Sequence, residues 1–188
     1  SFPLSELMKR RDNILIGSSG SKGLAWKYAT QDQSNIEEMF KMFDYIEVSP
    51  TSVYGGEIAK GFYSRDEIKL VVKKLIETAN KVGAIPVATG DVYYNEPEDK
   101  ILRDVYIAAK GLGGKVHPLF NRANPKYTKP NQHLRTTDEM QGEIERLVGS
   151  EELAKILTVD NSIKIFEMID NVKPLKEGLF APKLPFAE

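Results

Sequence analysis

Three short stretches carry the side chains from which chemistry could be built. The first is Gly17-Ser18-Ser19-Gly20-Ser21-Lys22-Gly23, a glycine-rich turn behind an apolar run. Backbone N–H groups in such a turn can cradle a phosphate, and a lysine can neutralise it. A nucleotide phosphate loop needs Ser or Thr after its lysine, and here Gly23 follows Lys22. The plain reading is a glycine turn between a strand and a helix. The second and third stretches hold Glu47 and Asp91-Val92-Tyr93. Carboxylates clustered at strand ends are the usual ligands of hard divalent cations, which makes Asp91 and Glu47 the candidate metal ligands. Each also has an ordinary role. Asp91 suits a turn carboxylate that accepts local backbone N–H groups, and Glu47 a partly solvated strand residue. His117 and His133 read as solvated loop histidines rather than ligands.

A fourth feature is electrostatic. Between Lys110 and Arg135 there are six basic residues and no acidic one. Lys110, Lys115, Arg122, Lys126, Lys129 and Arg135 are therefore the candidate nucleic-acid contacts, with Phe120 and Tyr127 available to stack on bases. The competing reading is a solvated loop kept soluble by its charge. A formal net charge of −1 over 188 residues supplies no global basic field. Without cysteine, disulfides, thiolate zinc sites and cysteine nucleophiles are excluded. That absence fits a cytoplasmic protein. Hydrophobic residues at 41% and charged residues at 28% match a folded chain rather than a disordered one. No apolar run approaches the ~18 residues of a membrane span. The opening Ser1-Phe2-Pro3 has neither the basic nor the apolar part of a signal peptide. It also lacks an initiator methionine, so a piece of a longer chain is expected.

The elements that must position these residues alternate in type. A short helix over 4–11 leads into Asn13-Ile14-Leu15-Ile16-Gly17, a buried strand. A helix begins at Leu24. Ser34 and Glu37 have capping-box spacing before an apolar stripe of Ile36, Met39, Phe40 and Phe43. Asp44–Val48 is a second strand. A long helix from Ser64 to Val82 has its own capping box at Ser64 and Glu67, with Ile68, Val72, Leu75, Ile76 and Ala79 on one face. Pro86–Gly90 is a third strand. Strands and helices at this spacing predict βαβ units and a parallel sheet, and such folds collect their chemistry at strand ends. Beyond Tyr94 the chain is helical: over 97–109, from Thr136 with Glu139 as a capping box, and near 150–157 and 160–170. Trp26 and the apolar residues of the early helices are assigned to the core.

Several of these stretches resemble the PHP (polymerase and histidinol phosphatase) domain of PolC-type DNA polymerase III α chains. They are Ile14-Leu15-Ile16-Gly17-Ser18 with Lys22-Gly23, Phe43–Val48 with Pro50, and Ala88–Tyr94 with Pro97-Glu98-Asp99-Lys100. Leu134–Met140, Val159-Asp160-Asn161 and Asn171–Lys176 follow in the family's order. The resemblance implies an α/β fold, a partial PHP-type (βα) barrel with parallel strands, followed by a helical segment and an extended tail. It implies four regions: the C-terminal part of the barrel over 1–110, a basic loop over 111–135, a helical segment over 136–172 and a tail towards the palm over 173–188. The upstream PHP motifs, the proofreading exonuclease and the palm would lie outside this sequence.

The function implied is that of a non-catalytic structural part of a replicative polymerase. Its parent would synthesise DNA on a template, with Mg²⁺ held by palm carboxylates and with 3′–5′ exonuclease proofreading. The partners implied are the remainder of that chain and, through it, DNA; open sheet edges would favour self-association. PHP domains are similar to metal-dependent phosphoesterases, and activity of that kind is the alternative, as is DNA binding through the basic loop. Against a phosphoesterase, the family's ligand positions fall on Gly20 and Tyr93. The first has no side chain and the second seldom replaces imidazole as a ligand. The PHP-type metal site is therefore expected to be degenerate.

Overall fold

The computed structural model describes residues 4–31, 33–109, 111–120, 129–173 and 178. Helices α1 (Leu4–Met8), α2 (Leu24–Thr30) and α3 (Ile36–Phe40) precede strand β1 (Tyr45–Val48). A short α4 (Gly55–Ala59) and the long α5 (Arg65–Val82) connect β1 to strand β2 (Ile85–Ala88). The two strands pair in parallel, Tyr45 opposite Ile85 and Val48 opposite Ala88. Parallel neighbours require such a crossover. Helix α6 (Lys100–Ala108) follows, then α7 (Thr137–Val148), α8 (Glu151–Lys155) and α9 (Asn161–Glu167). The architecture is thus mixed α/β with a two-stranded, unclosed parallel sheet.

The expected first strand is not formed. Residues 14–17 run beside β1, with Asp44 N donating to Ile16 O at 2.9 Å and Ser18 N to Tyr45 O at 3.2 Å. Only Gly17 completes a parallel bridge, to Tyr45. The reason is local. Ile16 N–H is taken by the Asp44 carboxylate at 2.6 Å. Arg11, ion-paired to the same carboxylate at 2.7 Å, takes Ile14 O at 3.1 Å. Side chains thus claim backbone groups that a ladder would use. At Gly17 a Cβ would lie 2.3 Å from the Tyr45 ring, so any larger residue would have to displace that side chain.

The capping boxes separate by context. Ser64 Oγ accepts Glu67 N–H and the Glu67 carboxylate accepts Ser64 N–H, and Thr136 and Glu139 repeat the arrangement. The box expected at Ser34 is absent: α3 is capped by Asn35 with no side-chain bond, and the Glu37 carboxylate instead pairs with Lys81. Ser64→Ala and Thr136→Ala should each cost about 1 kcal/mol in urea denaturation, whereas Ser34→Ala should leave the midpoint in place.

The core lies between the sheet and α2, α3, α5 and α7. Phe40, Ile46, Val48, Ile68 and Ile144 are all fully buried. The two expected final helices are one continuous rod, because a π-helical turn at Ile156–Asp160 joins α8 to α9. At its end Asn161 is buried and donates to Pro86 O of β2 at 2.7 Å. A side chain so satisfies a carbonyl on the free side of β2, an edge that would otherwise invite pairing. Among the described residues beyond Tyr94 no strand joins the sheet, and an isolated parallel bridge links Tyr94 to His133. Of the expected tail over 173–188, only Lys173 and Gly178 lie among the described residues.

Candidate functional site at the strand ends

The C-terminal ends of β1 and β2 open into a cleft of about 220 Å³. The glycine-rich turn supplies one wall. Ser18 is buried and its Oγ accepts Glu47 N–H at 2.9 Å. Ser19, at a positive φ of 60°, donates its N–H to Glu47 Oε1 at 3.1 Å. Asp91 also has positive φ, 45°, and its Oδ2 accepts Gln132 Nε2–H at 2.6 Å. Beneath the cleft Tyr54 is buried and its hydroxyl accepts Ser49 N–H at 3.1 Å. Burial pushes the Tyr54 phenol up to about 12; the Ser49 hydrogen bonds oppose this and nearby Glu47 reinforces it. Tyr54 thus forms a buried floor to the cleft, stacked on Trp26.

Glu47 and Asp91 therefore do meet at one cleft. Each already has a carboxylate oxygen committed to an N–H donor. Gly20 lines the same cleft with no donor, and Tyr93 is 55% exposed with the Arg103 guanidinium 3.9 Å over its ring. No group of three or more His, Asp or Glu that could hold a metal occurs among the described residues. Two carboxylates, each with one oxygen engaged, beside a tyrosine and a glycine do not fit the donor set of a two-metal phosphoesterase.

Beside this cleft lies a cavity of about 90 Å³ between α6 and the loops that carry residues 117–119 and 130–132. It shares Ser21, Lys22, Asp91 and Tyr93 with the cleft and adds Arg103, His117 and Gln132. His117 is half-buried, not the solvated loop residue expected. Its Nδ1 accepts Leu119 N–H at 3.1 Å, so a proton on the neutral ring sits on Nε2. Burial pushes the His117 pKa down, and the positive charges of Arg103 and Lys22 lower it further. Arg103 also lies 5.5 Å from the Tyr106 ring centroid, and Tyr106 meets His117 edge-on at 5.6 Å. Neither Arg103 nor His117 signalled this role in the sequence, because a long-range approach of α6 to the loop creates it.

The described residues of the basic stretch differ in exposure. Lys115 is exposed. Lys129 keeps 13% of its side chain exposed and stands 3.5 Å from Asp104. Arg135 has none of its side chain exposed; it bonds Glu143 Oε1 at 2.8 Å, Ser52 Oγ at 3.0 Å and the carbonyls of Asn131 and His133. Its guanidinium is an internal tie. Lys110, Arg122, Lys126 and Tyr127 lie outside the described residues.

A mixed α/β unit with a parallel strand pair and a cleft at its strand ends is the class that this geometry defines. No family model matches the chain. Over its full length it is homologous to a segment of the PolC-type DNA polymerase III proteins. Identity is 36% over 190 residues to the protein of Listeria monocytogenes, 34% over 190 to that of Bacillus subtilis and 31% over 191 to that of Streptococcus pneumoniae. Each match covers 100% of this chain but only 12–13% of the relative, so the chain spans about an eighth of the length of these proteins.

Proposed function

We propose that this chain is the C-terminal part of a PHP-type domain and serves a replicative DNA polymerase as a non-catalytic scaffold in the cytoplasm. The observation that carries the reading is the full-length similarity to one segment of PolC-type polymerases, joined to a rim whose carboxylates are engaged by Gln132 and Ser19. Template-directed synthesis, Mg²⁺ at palm carboxylates and proofreading then belong to the parent, not to these residues. The remainder of the parent chain is the partner this reading requires. The apolar surface of the chain supports it: Ile101, Leu102 and Val105 on α6 are each about two-thirds exposed, and Phe166 in α9 and Ile169 just beyond it are exposed as well. Exposed apolar faces of this kind mark contact surfaces. Among the described residues no helix is long and apolar enough to cross a membrane.

The test pairs metal analysis with turnover. The purified chain, dialysed against Mn²⁺ or Zn²⁺, is expected to retain no stoichiometric metal and to hydrolyse neither a phosphodiester nor a phosphomonoester. Metal at one equivalent or more, with turnover that Asp91→Asn abolishes, would overturn the scaffold reading in favour of a phosphoesterase.

A further inference from the structure

We propose that the cavity between α6 and the 117–119 and 130–132 loops binds a hydrogen-phosphate group, free or at the end of a phosphomonoester, through Lys22, Arg103, His117 and Gln132. Lys22 and Arg103 both line it and neither has an ion pair among the described residues. Arg103 Nε is buried and has no hydrogen-bond partner. Two cations and an imidazole that line one cavity supply the charge-assisted donors that an anion would take up. Glu57 and Asp91 share the lining, and Asp91 is engaged by Gln132. Arg103 and Lys22 are the charges that lower the His117 pKa beside its burial.

Gln132 narrows the class of anion. It is 4% exposed, its Nε2 is committed to Asp91, and its buried Oε1 has no partner. A buried acceptor without a donor is costly, and a fully deprotonated oxyanion cannot supply one. A hydrogen phosphate or a singly protonated phosphomonoester can: three oxygens face the N–H donors and the P–OH donates to Gln132 Oε1. A phosphodiester has no such proton. The site therefore reads a terminal phosphate and passes over the backbone of a nucleic-acid strand.

The experiment is calorimetric titration of the chain in metal-free buffer with EDTA, so that it stands apart from any metal-dependent hydrolysis. Inorganic phosphate is expected to bind, and sulfate, which carries no proton at neutral pH, to bind at least ~tenfold more weakly. Lys22→Gln and Arg103→Gln should each weaken phosphate by ~tenfold, and Gln132→Met should remove the preference over sulfate. Lys22 is exposed, so Lys22→Gln can be verified as folded by circular dichroism and keeps the test sound if the other variants unfold. Short oligothymidylates with a 5′-phosphate or a 5′-hydroxyl identify the source. Tighter binding of the phosphorylated strand than of free phosphate points to a strand end, and equal binding points to a small phosphate. No heat of binding at about 10 mM phosphate, equal binding of sulfate, or unchanged binding in Lys22→Gln would overturn the site. None of those failures touches the scaffold reading, which rests on the full-length similarity to PolC-type polymerases and on metal analysis rather than on phosphate binding.

Discussion

Replacing Glu143 with alanine is expected to destabilise the chain by about 3–5 kcal/mol, the cost of stranding a buried charge. The charge stranded is Arg135, whose side chain has no exposure at all. Its partner Glu143 is one-fifth exposed and also accepts the Ser52 hydroxyl at 2.5 Å. The converse change should cost less. Arg135→Met removes the buried cation and leaves a carboxylate that water can reach, so about 1–3 kcal/mol is expected. The double variant Arg135→Met/Glu143→Leu should recover much of the loss, because apolar replacement of a buried pair is often neutral. Urea denaturation followed by circular dichroism measures all three, and a Glu143→Ala loss no larger than that of Arg135→Met would contradict the asymmetry.

The same pair predicts a pH dependence. Burial pushes the Glu143 carboxyl up, but its hydrogen bonds from Arg135 and Ser52 together outweigh this and hold it below the usual carboxylate range. A carboxyl depressed in the folded state contributes stability above its unfolded pKa of about 4.3, and that contribution is lost as pH falls through the folded value. Wild-type stability should therefore fall below about pH 4, and Glu143→Gln should show a shallower acid decline. An identical decline in the variant would remove Glu143 from the account.

Trp26→Ala should have an effect of similar size, about 3–5 kcal/mol for a large aromatic in a core. Trp26 is 5% exposed, stacks on Tyr54 with centroids 4.7 Å apart and meets Tyr63 edge-on at 5.9 Å. Tyr54 in turn holds Ser49 N–H at the end of β1. The substitution thus opens a cavity and frees the floor of the strand-end cleft together. Trp26→Phe keeps an aromatic face on Tyr54 and should lose less than half as much. A loss below about 1 kcal/mol for Trp26→Ala would place it among ordinary surface changes and contradict the packing.

Local chemistry was legible wherever the interaction closes within a few residues. The boxes at Ser64/Glu67 and Thr136/Glu139 need only helical spacing, and both form. The long amphipathic α5 and the parallel pairing of the strands around it follow from periodicity, because one helical face must be buried against whatever the strands offer. Ser34/Glu37 shows the limit: its spacing is as good, yet Lys81, 44 residues away, takes the carboxylate. The first strand shows it again, since Asp44 intercepts Ile16 N–H from 28 residues away.

The candidate site divides the same way. That Glu47, Asp91 and the glycine turn share a rim follows from their positions at strand ends. That each carboxylate already has one oxygen engaged, that Arg135 is an internal tie, and that Lys22, Arg103 and His117 line one cavity follow only from tertiary structure. Spacing determines which neighbours along a helix or strand can meet. Competition among distant donors and acceptors for the same few partners is settled only when the chain is packed.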